Sequence, residues 1–131
     1  MHHRFVFVIF IFFFIITNNM YTRTFYKHLD AIFSKIETEE NIPRDLLKAI
    51  SIQESYKPWE WTISVNGKGH LFKTKDDAVK YTKAILEKEK NVDIGCMQIN
   101  MIHHKGAFNS LEDAFNPENN IRYAAKFLKI L

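Results

Sequence analysis

Residues 42–55 read IPRDLLKAISIQES, and the way this stretch folds decides how the remainder is arranged. Pro43 suits the first turn of a helix, where its missing N–H has no intrahelical partner to lose. Leu47, Ile50 and Glu54 then fall at i, i+3 and i+7, with Leu46 and Ala49 beside them, so Glu54 prolongs an apolar stripe. A carboxylate stands where a leucine is expected. Two readings follow. If the stripe is buried, desolvation disfavours the charged form, and so does the negative end of a helix stopping near Lys57, before Pro58. Glu54 is then suited to giving up a proton near neutrality. If the helix end frays into water, Glu54 is an ordinary surface carboxylate. Spacing does not choose between them.

On the N-terminal side, Phe25, Leu29, Ile32, Phe33 and Ile36 recur at helical spacing. A core helix is predicted from a Thr24 cap to about Glu37, followed by a charged connection over Glu37 to Asn41. Before it, Met1 to Arg4 forms a short basic or titratable head, and Phe5 to Ile16 is an unbroken apolar run. A bilayer-spanning helix needs about 20 such residues, so the run reads as the core of an export signal. Thr17, Asn18, Asn19 and Met20 give no small-residue cleavage pattern. Residues 1–20 are therefore expected to be a signal peptide or a retained membrane tether, and residues 21–131 a single domain in the periplasm or cell envelope.

The 131 residues are 47% hydrophobic and 25% charged, which is a globular composition with enough chain for one real core. The net charge of +3 is mild and the lysines are dispersed, so no nucleic-acid footprint is expected. Cys96 is the single cysteine. An exported chain with one thiol makes no internal disulfide, and a small buried side chain is the simplest role for it.

Beyond Pro58 the period changes from helical to alternating, with Trp61, Ile63 and Val65 against Thr62 and Ser64. Asn66-Gly67 supplies the dipeptide of a tight hairpin, and Leu71 and Phe72 can return as its second strand. Trp59 and Trp61 are expected to pin this ribbon to the helices, with sugar stacking as the alternative role. Thr74 and Asp77 form a capping pattern that opens a helix to about Lys90, with Ala78, Thr82, Ile85 and Leu86 on one side. VDIGCMQIN, residues 92–100, is neither charged nor helically periodic. It reads as an extended segment whose glycine lets the backbone approach something closely. His70, His103, His104 and Cys96 have no metal-ligand spacing, so no metal is expected. Ser110 to Asp113 repeats the capping pattern for a short helix through Phe115. Asn116-Pro117 caps a last helix striped by Ile121, Ala124, Ala125, Leu128 and Leu131. No stop signal follows that stripe, so the domain is expected to be incomplete at Leu131.

Taken in order, IPRDLLKAISIQES, DIGCMQIN and NPENNIRYAAKFL resemble three motifs of the transglycosylase domain of soluble lytic transglycosylases, relatives of goose-type lysozyme. The resemblance covers about Ile42 to Leu131. It implies a mainly α, lysozyme-like helical domain with a small β-hairpin, acting on peptidoglycan glycan strands. It also implies that Glu54, followed by Ser55, is the catalytic acid and base. Gly95, Cys96, Met97, Gln98 and Ile99 would line the sugar groove, with Ser55, Gly95, Met97 and Gln98 as the substrate-binding set. The Asn116-Pro117, Asn120-Ile121 and Phe127-Leu128 pattern is expected to be packing. The chain departs from the family at Tyr56, where Gly is usual, at Cys96, where Leu is usual, and in lacking a later Ala-Tyr-Asn motif.

The chemistry implied is cleavage of the β-1,4 bond between N-acetylmuramoyl and N-acetylglucosaminyl units, leaving a 1,6-anhydro-muramoyl end. Most glycosidases use two carboxyl groups. Here the muramoyl C6 hydroxyl attacks internally, and proximity does much of the work of a second carboxylate. No cofactor is needed and a monomer is expected. Two alternatives stand beside this reading: a lysozyme-like hydrolase in which Asp93 or another acid guides water, and a truncated remnant that binds glycan without cleaving it.

Overall fold

The computed structural model describes residues 27–55, 60–88 and 90–131. The leader, the Thr24 cap, Tyr56, Pro58 and Trp59 lie outside them. The chain divides into two compact units, Met1–Ala31 and Ile32–Leu131. Of the first, residues 27–31 are described, and they form the opening of helix α1, residues 27–39. Among the described residues no helix is long and apolar enough to cross a membrane.

In the second unit, Phe33 and Ile36 of α1 are buried at the expected spacing. The charged connection expected over Glu37 to Asn41 is helical over its first three residues, 37–39. Glu37 is still helical and is 3% exposed. Its carboxylate accepts the Asp45 N–H at Oε2 and the Leu47 N–H at Oε1, both at 2.9 Å. Asp45 has φ 63°, outside the right-handed helical region, so helix α2 spans Leu46–Ser55 and starts after Pro43 rather than on it. An acidic group from another helix thus caps α2, satisfying N–H groups that no helical carbonyl can reach. Glu37→Gln leaves one acceptor for two donors. It is expected to lower stability by about 1–2 kcal/mol in a denaturant titration.

Strands β1 (Thr62–Val65) and β2 (Lys68–Leu71) make the expected hairpin, with Asn66 and Gly67 at φ 50° and 80°. This hairpin is half of a larger sheet. Strands β3 (Val92–Ile94) and β4 (Ile99–Asn100) extend it to an antiparallel order β2-β1-β3-β4, with Ile63 opposite Ile94 and Ile94 opposite Ile99. The VDIGCMQIN segment is therefore two short strands joined by a turn at residues 95–98.

Helix α3 (Lys75–Leu86) begins where Thr74 Oγ1 accepts the Asp77 N–H, and it buries Ala78, Thr82 and Ile85. It stops at Leu86, short of Lys90. Helix α4 (Leu111–Ala114) is capped by Ser110, and α5 (Pro117–Leu128) by Asn116 with Pro117 at its start. The core under the sheet joins Ile63, Val65, Val92 and Ile94 to Ala78 and Ile85 of α3 and to Ala114 and Phe115 of the α4 region. Trp61 packs on the same core.

Helix α5 is tied to the C-terminal part of α1 by an ion-pair network. Arg122 reaches Glu39 at 2.6 Å and Glu118 at 3.0 Å, Lys35 reaches Glu118 at 2.7 Å, and Lys129 reaches Glu40 at 3.2 Å. Exposed pairs contribute little singly, so the network fixes orientation more than stability.

Candidate active site

Helix α2 has two working faces. Leu47 and Ser51, one turn apart, are buried. Leu47, Ile50 and Glu54 line a cavity of about 350 Å³. The i, i+3, i+7 stripe is thus the wall of a cleft, and Glu54 at its end is exposed. Of the two readings of Glu54, the structure has the exposed carboxylate rather than the desolvated one. The face that enters the core is turned toward Ser51, which leaves Ile50 and Glu54 at its border with water.

The second wall is the segment from Met97 to Asn100, and buried polar groups hold it in place. Ser51 Oγ donates to the Cys96 carbonyl at 2.6 Å, linking α2 to the turn. Asn120, fully buried on α5, donates through Nδ2 to the carbonyls of Ile94 and Ala114, each at 3.1 Å. Its Oδ1 accepts the Met97 N–H at 2.9 Å. The turn is closed by Gln98, whose N–H and Nε2 both donate to the Gly95 carbonyl, at 3.1 and 3.0 Å. Gly95 has φ +76°, and a Cβ there would lie 2.4 Å from Asn120 Nδ2. The backbone approach that this glycine permits is to Asn120.

The third wall comes from Ala124, Phe127 and Leu128 of α5, with His104 from the segment after β4. Of the residues read as a site, the cavity brings together Glu54, Met97 and Gln98. Gly95 and Ser55 are not among the described lining residues. Gly95 is buried, and the Ser55 hydroxyl donates to the Ser51 carbonyl at 2.7 Å.

Cys96 also departs from the expected groove. It is fully buried, with Sγ 3.7 Å from Asn120 Oδ1, so the Cys-for-Leu replacement lies on the core side of the strip. Burial pushes its thiol up to about 12, and the nearby Glu60 carboxylate adds to the rise. Since the thiolate is the nucleophile, the folded chain is expected to resist iodoacetamide at pH 8 and to be alkylated once denatured. Mass spectrometry before and after denaturant checks this.

Asp93, the carboxylate considered for guiding water, accepts from Asn100 Nδ2 at 2.7 Å and is not among the described lining residues. Trp61 likewise lies against the sheet core rather than this cavity. Among the described residues no group of three His, Cys, Asp or Glu side chains is placed to hold a metal ion.

Sequence reasoning missed Ser51 and Asn120 as determinants of the site. Their signal is a polar residue at a core-facing helical position: Ser51 lies one turn after Leu47, and Asn120 lies beside Ile121. A family model described as the transglycosylase SLT domain matches residues 31–131. No curated protein and no solved structure matches the chain.

Proposed function

Because the chain belongs to the transglycosylase SLT domain family, we propose that it is a peptidoglycan lytic transglycosylase in which Glu54 serves first as acid and then as base. The supporting observation is that Glu54 is the one acidic side chain among the described residues lining the cleft. It shares that cleft with a strip fixed from behind by Ser51 and Asn120.

In this reading a glycan strand lies in the cleft and covers the exposed carboxyl group of Glu54, displacing water. Glu54 protonates the oxygen bridging the muramoyl C1 and the next sugar, and the C1–O bond breaks with its electron pair going to that oxygen. The muramoyl O6 forms a bond to C1, and its proton returns to the Glu54 carboxylate. No water is consumed and the acid is regenerated. An internal nucleophile makes a second carboxylate unnecessary, since proximity replaces the activation of water. Met97 and Gln98 contact the strand, Gly95 sets the turn that presents them, and Ser55 shapes the helix end that carries Glu54.

We place the protein in the periplasm or cell envelope, acting as a monomer, with residues 1–20 as its export signal or tether. Digestion of purified peptidoglycan tests the reaction. The expected products are muropeptides with 1,6-anhydro ends. New reducing ends instead would assign the chain to hydrolysis, and binding without turnover would leave it a glycan-binding domain.

A further inference from the structure

We infer that His104, Tyr123 and Phe127 form a saccharide-binding subsite in the Glu54 cleft, in which Phe127 packs on a sugar ring and His104 Nε2 bonds a sugar hydroxyl. This rests on the reading of the cleft as a glycan site. It adds His104, which lies in no quoted motif, and gives Tyr123 and Phe127, whose motif is expected to be packing, a part in binding.

The α5 wall of the cleft is apolar, lined by Ala124, Phe127 and Leu128, and His104 stands beside it; Tyr123 is not among the described lining residues and acts through His104. His104 is held on several sides. Its Nδ1 is 2.7 Å from the Tyr123 hydroxyl. Its ring stands edge-on to Phe127, with centroids 4.9 Å apart and planes at 84°, and edge-on to Tyr123 at 5.4 Å and 75°. Phe108 packs on Tyr123, with centroids 5.2 Å apart. With Nδ1 engaged, Nε2 is the ring's remaining polar atom. It donates or accepts according to which way the Tyr123 bond runs. A sugar hydroxyl both donates and accepts, so it fits either arrangement.

Phe127 supplies the complementary surface. It is 41% exposed while packed edge-on against His104, so an open ring sits beside a fixed polar point. A pyranose presents apolar C–H groups on its face and hydroxyls on its rim. The pairing follows the general design of ligand pockets, in which an apolar lining is punctuated by a few oriented polar groups.

The test uses the full chain carrying Glu54→Gln, so that binding is separated from turnover, and a tetramer of N-acetylglucosamine as probe. Calorimetry is expected to show binding weakened about five- to tenfold by His104→Ala and by Phe127→Ala, with partial recovery in His104→Gln. Tyr123→Phe, which keeps the ring and removes the hydroxyl, should weaken it about two- to threefold. Should His104→Ala fail to fold, the His104 ring nitrogen resonances of the unsubstituted imidazole must still shift on titration with the tetramer. In the active chain, His104→Ala should raise KM by the same factor with kcat little changed. Unchanged affinity in both alanine variants, or a tetramer that leaves the His104 ring unperturbed, overturns the subsite. Anhydro products with a KM insensitive to His104 overturn the subsite alone. His104-dependent binding without anhydro products overturns the reaction and leaves the subsite standing.

Discussion

Glu54→Gln is expected to abolish release of anhydro-muropeptides, lowering the rate by about 10²–10⁴-fold, the range that a positioned general acid and base supplies. Gln keeps the size and polarity of the side chain but carries no transferable proton. Because Glu54 is exposed at the end of α2 and makes none of the contacts that hold the turn, the substitution should leave the melting temperature within a few degrees. Affinity for glycan should survive as well. This combination separates a chemical role from a structural one. A Glu54→Gln chain that still released anhydro ends at a tenth of the native rate or more would remove Glu54 from the mechanism.

Gly95→Ala is expected to be the most damaging single methyl group in the domain. The position has φ +76°, where a residue with a Cβ is strained by about 1–2 kcal/mol. The new Cβ would also lie 2.4 Å from the Asn120 amide nitrogen. Asn120 cannot yield cheaply. Moving it breaks its bonds to the Ile94 and Ala114 carbonyls and to the Met97 N–H, all buried, and each orphaned group costs about 1–3 kcal/mol. The sum is about 3–5 kcal/mol, or a fall in melting temperature of more than about 10 °C. Combining it with Asn120→Ala should cost less than the two changes added together, because the clash and the bonds share one partner. A Gly95→Ala chain that melts within about 2–3 °C of the native protein would show that the turn does not depend on this approach.

The parts of the fold that are legible in the sequence are those with local signals. Asn66-Gly67 announces its hairpin, and Thr74, Ser110 and Asn116 each cap the helix that follows them, because a cap or a tight turn is decided within three or four residues. The start of α2 is not legible. Its cap is the Glu37 carboxylate, eight and ten residues upstream and on another helix, so Pro43 reads as the better start. The pairing of β3 with β4 is hidden in strands of three and two residues, too short to show alternation.

The candidate site divides in the same way. Periodicity puts Glu54 on one stripe with Leu47 and Ile50, and those three do share a wall. It does not tell a wall facing the core from a wall facing a cleft, since both have an apolar period. Ser51 goes unread and Asn120 is read only as packing, because a buried polar side chain is intelligible only through its distant partners, the Cys96 carbonyl and the 94–97 backbone. His104 and Tyr123 lie 19 positions apart, and nothing in either segment announces the other.

The most direct measurement of the central claim is the fate of solvent oxygen. Peptidoglycan digested by the full chain in heavy-oxygen water should yield muramoyl ends that carry no solvent oxygen, because O6 of the same sugar closes onto C1. Muramoyl ends labelled at C1 would mean that water is the nucleophile, and the account of a single carboxylate serving an internal attack would be contradicted.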